Sequence, residues 1–153
     1  MKKLVSYFSA SGVTKSVALK IAEKISGDLF EIIPTKSYTE EDLDWRNPNS
    51  RSSVEMKDTS SRPSIAKKVE NLEEYDTVVI GFPVWWYTAP TIINTFIEEN
   101  DLSGKDIYLF VTSGGSSAEG SLKNLKETYP NLNFIKADRF TGREEDYSLG
   151  IKN

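Results

Sequence analysis

Apolar positions along the chain alternate between two rhythms. Leu4-Val5-Ser6-Tyr7-Phe8 is a short, β-rich apolar run and predicts a buried strand. After a loop of small residues, Val17, Ile21 and Ile25 recur at helical spacing, with Ala18 and Ala22 beside them, and predict one apolar helix face. Gly27 stands where a C-terminal cap is wanted, and Leu29-Phe30-Glu31-Ile32-Ile33 predicts a second strand that Pro34 stops. Ile65, Ala66, Val69 and Leu72 form a short second helical stripe. Asp76-Thr77-Val78-Val79-Ile80-Gly81-Phe82 is the strongest strand signal, and its lack of alternation fits a central strand buried on both faces. Ile92, Ile93, Phe96 and Ile97 predict a third helix, with Pro90 near its first turn, where proline is tolerated. Residues 107–112 read as a fourth strand. Leu122, Leu125 and Tyr129 predict a fourth helix ended by Pro130, and residues 132–135 a fifth strand.

Strand, loop, helix and strand in the first third make a βαβ unit, whose right-handed crossover implies parallel pairing. The continued alternation predicts a three-layer α/β sandwich with a parallel sheet, as one domain over residues 1–153. Residues 35–63 interrupt the pattern. They are polar, carry Asn47-Pro48-Asn49-Ser50 and Ser60-Ser61-Arg62-Pro63, and are long for a connection; such loops are usually functional or disordered. Tyr38, Leu43 and Trp45 predict that part of this stretch packs on the rest. Tyr38, Trp45, Arg51, Glu55 and Arg62 are candidates for a lid or a partner surface, against the plainer reading of a solvated loop.

Composition narrows the chemistry. The chain has neither cysteine nor histidine, so disulfides, thiolate nucleophiles and a Ser-His-Asp triad are excluded. That inventory leaves carboxylates, Lys, Tyr and hydroxyls, and favours a bound cofactor over catalytic side chains or a metal. With 19 basic and 23 acidic residues the net charge is −4, a poor default for binding nucleic acid or an anionic membrane. The apolar run at residues 78–87 is too short to span a bilayer and carries Gly81 and Pro83. Residues 4–8 are far shorter than a signal-peptide core. A cytoplasmic protein is expected.

In parallel α/β sheets ligands bind outside the carboxyl ends of the strands. Three loops leave predicted strands there, and their compositions are the least ordinary in the chain. The first is Ser9-Ala10-Ser11-Gly12-Val13-Thr14, at the start of a helix. A helix N-terminus presents unpaired N–H groups and the positive end of the macrodipole, so this loop suits an anion, here a terminal phosphate ester. It is neither a Walker loop nor G-x-G-x-x-G. Its plain alternative is a hydroxyl-capped helix with Thr14 or Ser11 as N-cap. The second loop is Pro83-Val84-Trp85-Trp86-Tyr87. Three consecutive aromatics after a central strand must point in different directions, so at least one is exposed or faces a ligand ring. Packing against the next helix or a protein partner is the alternative. The third loop, Thr112-Ser113-Gly114-Gly115 with Ser116 and Ser117, offers backbone N–H groups and small side chains to the edge of a planar ring, and also has the look of any flexible loop.

Together these loops resemble flavodoxin. Ser9-x-Ser11-Gly12-x-Thr14 is similar to that family's phosphate loop, Thr/Ser-x-Thr/Ser-Gly-x-Thr. The stretch from Gly81 to Pro90, with Thr112-Ser113-Gly114-Gly115-Ser116, resembles a bacterial branch of flavodoxin-like proteins. The resemblance implies a five-stranded sheet of order 2-1-3-4-5 and FMN bound without a covalent link. The FMN phosphate would sit on Ser9, Ala10, Ser11, Gly12, Val13 and Thr14. The isoalloxazine would lie between the Pro83, Val84, Trp85, Trp86, Tyr87 loop and Thr112, Ser113, Gly114 and Gly115. It implies an electron-transfer protein, meeting redox proteins transiently or a small quinone-like acceptor, as a monomer or weak homodimer. The alternative is an FMN-dependent NAD(P)H:quinone or flavin oxidoreductase. A phosphoacceptor receiver domain would need an acidic pair where Ser9-Ala10 stands and an Asp near Phe82-Pro83. Two departures from the family stand out. Residues 85–88 contain no glycine, which argues against dedicated one-electron carriage. Residues 141–153 have little apolar periodicity, so the fifth helix is short or absent, or a partner subunit fills the gap.

Overall fold

The computed structural model describes residues 2–152. Five strands, β1 (Lys2–Tyr7), β2 (Asp28–Glu31), β3 (Tyr75–Pro83), β4 (Asp106–Thr112) and β5 (Asn133–Phe140), form one sheet. All pairings are parallel and the order is β2-β1-β3-β4-β5. The helices are α1 (Val13–Ile25), α2 (Arg51–Lys57), α3 (Thr91–Glu99) and α4 (Glu119–Thr128). None of the described helices is long and apolar enough to cross a membrane.

Successive side chains of a strand point to opposite faces, so each central strand feeds two cores. Leu4, Val78, Ile80, Phe82, Leu109 and Val111 meet Ile92, Ile93 and Phe96 of α3 and Leu125 of α4 on one face. Val5, Tyr7, Val79 and Phe110 meet Val17, Ala18, Ile21 and Ile25 of α1 on the other. The Phe110 ring lies across Gly81, where a Cβ would stand 1.9 Å from it. That glycine makes room for a fully buried phenylalanine, whose truncation to Ala costs about 3–5 kcal/mol in well-packed cores. The β2 edge is short and largely exposed, with Asp28 and Glu31 at its ends, which discourages pairing with another chain.

One expectation is corrected. Residues 64–71 form no helix; only a 3-10 turn follows at Leu72–Glu74. Ile65 instead forms an antiparallel bridge with Pro34, and the Ala66 amide donates to the Ile33 carbonyl at 2.7 Å. The apolar stripe records a chain lying against the core, not a helix face. The C-terminal segment, where the sequence predicts a fifth helix that is short or absent, has no helix among its described residues, and the chain itself covers that face. Tyr147 stacks on Phe140 at 5.2 Å, and Leu149 is buried in the α1-side core.

The bridge at Pro34 and Ile65 closes residues 35–63 into one excursion. Its far end is fastened by Arg62, which donates from Nε to both Glu98 carboxylate oxygens at 3.0 Å, and by Ser61, hydrogen-bonded to Thr91 at 2.8 Å. Inside it, Arg51 lies over the Tyr38 ring at 3.7 Å and pairs with Glu55 at 3.0 Å, while the Tyr38 hydroxyl donates to Glu55. Burial first, and the Glu55 carboxylate second, raise the Tyr38 pKa, so the phenol keeps the proton it donates. Tyr38 packs as expected. Trp45 does not: it is 68% exposed.

Candidate functional site

Because every strand runs the same way, the loops after β1, β3, β4 and β5 all open on one edge of the sheet. The first begins where α1 does. Gly12 is the N-cap, with φ +96°, a left-handed conformation that glycine takes without strain. Thr14 and Ser11, the caps of the plain alternative, are not used. Ser9 does the work instead: its hydroxyl accepts from the Gly12 amide at 3.1 Å and the Lys15 amide at 3.2 Å. Val13 and Thr14 are the first two residues of α1, so their N–H groups have no intrahelical acceptor and remain available to an anion. The Thr14 hydroxyl is turned inward and shares a hydrogen bond of 2.7 Å with Thr112, at the end of β4.

After β3 the chain makes a tight turn. Trp85 and Thr88 exchange both backbone hydrogen bonds, at 3.0 and 3.1 Å, and Trp86 (φ 48°) and Tyr87 (φ 66°) both sit in the left-handed region. Two such residues in succession are the mark of a hairpin turn that normally takes Asn-Gly. Here it holds two aromatics, which the packing around it must enforce. Trp85 is the anchor, edge-on to Phe8 at 5.8 Å and to Tyr38 at 5.5 Å. Gly120 of α4 approaches so closely that a Cβ there would stand 2.6 Å from the Tyr87 carbonyl oxygen. The three aromatics do point apart, Trp85 inward and Trp86 and Tyr87 outward.

The third loop is braced from β5. Arg139 donates to the carbonyls of Ser113 (3.3 Å) and Gly114 (3.2 Å), and the Ser113 hydroxyl bonds the Ser116 carbonyl. Gly114 and Gly115 have open space where a side chain would stand, so a planar group can approach the backbone.

These loops enclose a pocket of about 500 Å³. Ser11 and Val13 line it from the first loop, Pro83 from the second, and Thr112, Ser113 and Gly114 from the third. Val84, Trp85, Trp86 and Tyr87 line an adjoining cavity instead; Ser9, Ala10, Gly12, Thr14 and Gly115 line neither. Thr141 and Arg143 complete the pocket. The sequence reading missed both, although a fifth parallel strand necessarily delivers a loop to the same edge, and Gly142 marked its turn. That turn is held by Glu144, whose carboxylate accepts from the Thr141 amide and hydroxyl and from the Gly142 amide at 2.8–2.9 Å. Burial alone raises the Glu144 pKa, but these hydrogen bonds outweigh it and bring it down to about 2. A larger cavity of about 620 Å³ lies between residues 97–103 and 128–132, at the opposite edge, far from this constellation.

A doubly wound parallel sheet with a phosphate-ready helix start and outward aromatics on one edge defines a flavodoxin-like α/β protein. The chain belongs to the flavodoxin family: that family's model matches residues 2–149. A candidate flavoprotein from Bacteroides eggerthii, solved as a crystal structure, is 49% identical with a TM-score of 0.93, over 97% of this chain and 92% of that one. A flavoprotein from Lactobacillus acidophilus, solved in complex with FMN, is 25% identical with a TM-score of 0.76, over 90% of this chain and 92% of that one. An uncharacterised NAD(P)H oxidoreductase from Escherichia coli is 32% identical over 59 residues, 39% of this chain and 26% of its own length. This chain spans 26% to 55% of the length of the curated relatives it matches.

Proposed function

We propose that this chain is an FMN-binding electron-transfer protein of the flavodoxin type. The observation that carries the reading is the single pocket of about 500 Å³ where loops from β1, β3 and β4 converge. The donor set fits the cofactor. The free first-turn amides of α1 suit a phosphate monoester, and Arg143 adds a positive charge at the same pocket. The open backbone at Gly114 and Gly115 and the outward Trp86 suit the edge and face of a flavin ring. The full set proposed to hold FMN is the one expected from sequence, with Thr141 and Arg143 added. FMN supplies the capacity to accept and release electrons; the chain's own residues bind, orient and partly shield it.

The NAD(P)H oxidoreductase alternative is not favoured, because the relatives that suggest it are matched over only part of their length. A cytoplasmic monomer fits the reading. Tyr147 and Leu149 already cover the face that a fifth helix or a partner would otherwise protect, and no described helix can cross a membrane. Titration of the purified protein with FMN, followed by visible absorption and flavin fluorescence, tests the reading. One FMN per chain is the expected result; a protein that neither acquires flavin absorption nor quenches FMN fluorescence would refute it.

A further inference from the structure

In the FMN reading the flavin ring lies between the second and third loops, and these loops touch at two points. At their base the Val84 amide donates to the Thr112 carbonyl at 3.2 Å. At the far end Gly120, in the first turn of α4, lies against the Tyr87 carbonyl. The third loop leads into α4 through Ala118, so this second contact joins the exit of one loop to the tip of the other. A gap tied at both ends has a fixed width.

Neither side of the far contact is free to recede. On the α4 side, Ser121 and Leu125 are wholly buried, and Arg139 holds the third loop from β5. On the turn side, Trp85 stands edge-on to both Phe8 and Tyr38, and Trp85 and Thr88 exchange both backbone hydrogen bonds. A Cβ on residue 120 would stand 2.6 Å from the Tyr87 carbonyl oxygen, closer than the 3.0 Å that real Cβ atoms keep. The atom it would meet is backbone and cannot rotate away. Nothing in α4 itself calls for a glycine here. Gly120 is helical and is not among the glycines with positive φ, and glycine inside a helix is less stable than alanine. The approach of the turn accounts for it.

We infer that Gly120 is a positioning residue for the cofactor site: by admitting the Tyr87 carbonyl it sets the gap between the two ring-binding loops, and with it the place of Trp86. What the gap receives rests on the FMN reading; the contact that sets it stands without cofactor.

Gly120→Ala tests it, with Tyr87→Gly and the double variant completing a cycle. FMN and riboflavin share the ring and differ in the phosphate. Gly120→Ala is expected to weaken both by the same factor, about 10-fold, because the walls of the ring site move and the phosphate loop does not. The visible absorption of the bound flavin is expected to shift as well. In the FMN-free protein the same change is expected to lower the melting temperature and shift the tryptophan emission, although alanine favours a helix. In Tyr87→Gly, whose turn can yield, adding Gly120→Ala is expected to cost markedly less on every readout. Unchanged flavin binding, a loss confined to FMN, or a rise in melting temperature would overturn the inference. If Gly120→Ala does not fold, the double variant decides: a folded double variant supports the contact, and one that also fails to fold overturns it. A wild-type protein that takes up no flavin would refute the cofactor reading and with it the role of the gap, while melting and emission across the FMN-free cycle would still decide the contact.

Discussion

The hydroxyls of Thr14 and Thr112 lie 2.7 Å apart in the interior, joining the first turn of α1 to the carboxyl end of β4. The bond sets the spacing between the phosphate loop and the Ser113–Gly114 backbone. Either Thr→Val change leaves the other hydroxyl buried without a partner, so each is expected to cost about 1–3 kcal/mol. The double variant loses both groups together and is expected to cost less than the sum. Urea unfolding of the four proteins measures this; strictly additive costs would show that the pair does not act as a unit.

Trp86 and Tyr87 occupy backbone conformations suited to Asn-Gly. Trp86→Asn with Tyr87→Gly is therefore expected to raise stability by about 1 kcal/mol, because left-handed backbone at a bulky residue costs about 1–3 kcal/mol. The same change removes the outward aromatic faces and is expected to weaken FMN about 10-fold, since ring stacking contributes about 1–3 kcal/mol. Thermal unfolding without cofactor and FMN titration separate the two effects. A double variant that loses stability would mean that the turn is not strained.

Arg143 lines the cofactor pocket with Ser11 and Val13 of the phosphate loop. Arg143→Ala is expected to weaken FMN about 10-fold, in keeping with about 1.5–3 kcal/mol for a hydrogen bond to a charged group. Riboflavin, which has the ring but no phosphate, should bind variant and wild type alike. Equal losses for both ligands would place Arg143 at the ring and not at the phosphate.

Glu144 holds the turn that carries Thr141 and Arg143, and its pKa is lowered from 4.5 to about 2. A folded-state pKa below the unfolded one gives stability that is complete above the ordinary value and fades as pH falls from about 4.5 towards 2. Glu144→Gln is thus expected to be less stable than wild type at pH 7, with a difference that narrows below pH 4. Urea midpoints for both proteins between pH 2.5 and 7 test this, and a gap that stays constant with pH would exclude the charge as its source.

Much of this molecule is local, and what is local was legible. The unbroken apolar run at Val78, Val79 and Ile80 marks a strand buried on both faces, because no polar side chain could alternate there. The spacing of Val17, Ile21 and Ile25 marks one helix face for the same reason. Small residues between Phe8 and Val17, and aromatics after Phe82, identified the loops that face the pocket, since strand ends in a parallel sheet share an edge. Other features arise only when distant segments meet. Ile65 and Val69 have helical spacing, but the chain around Pro34 pairs with Ile65 and Ala66, and the Asn100 side chain accepts from the Val69 amide, which satisfies this backbone better than an isolated short helix would. Gly12 is the N-cap of α1 and the Ser9 hydroxyl accepts from the amides beside it, while the Thr14 hydroxyl is engaged with Thr112 across the sheet. Trp45, a candidate for packing or for a lid or partner surface, stands in solvent, while the Ser52 hydroxyl, unremarkable in the sequence, is buried without a partner among the described residues. Thr141 and Arg143 lie in a segment without periodicity, and only the right-handed crossover that places β5 beside β4 brings them to the pocket, on a turn that Glu144 holds. Periodicity determined the elements and the edge on which the site stands. The tertiary structure decided which hydroxyls, aromatics and charges face that edge, because each depends on a neighbour far away in the chain.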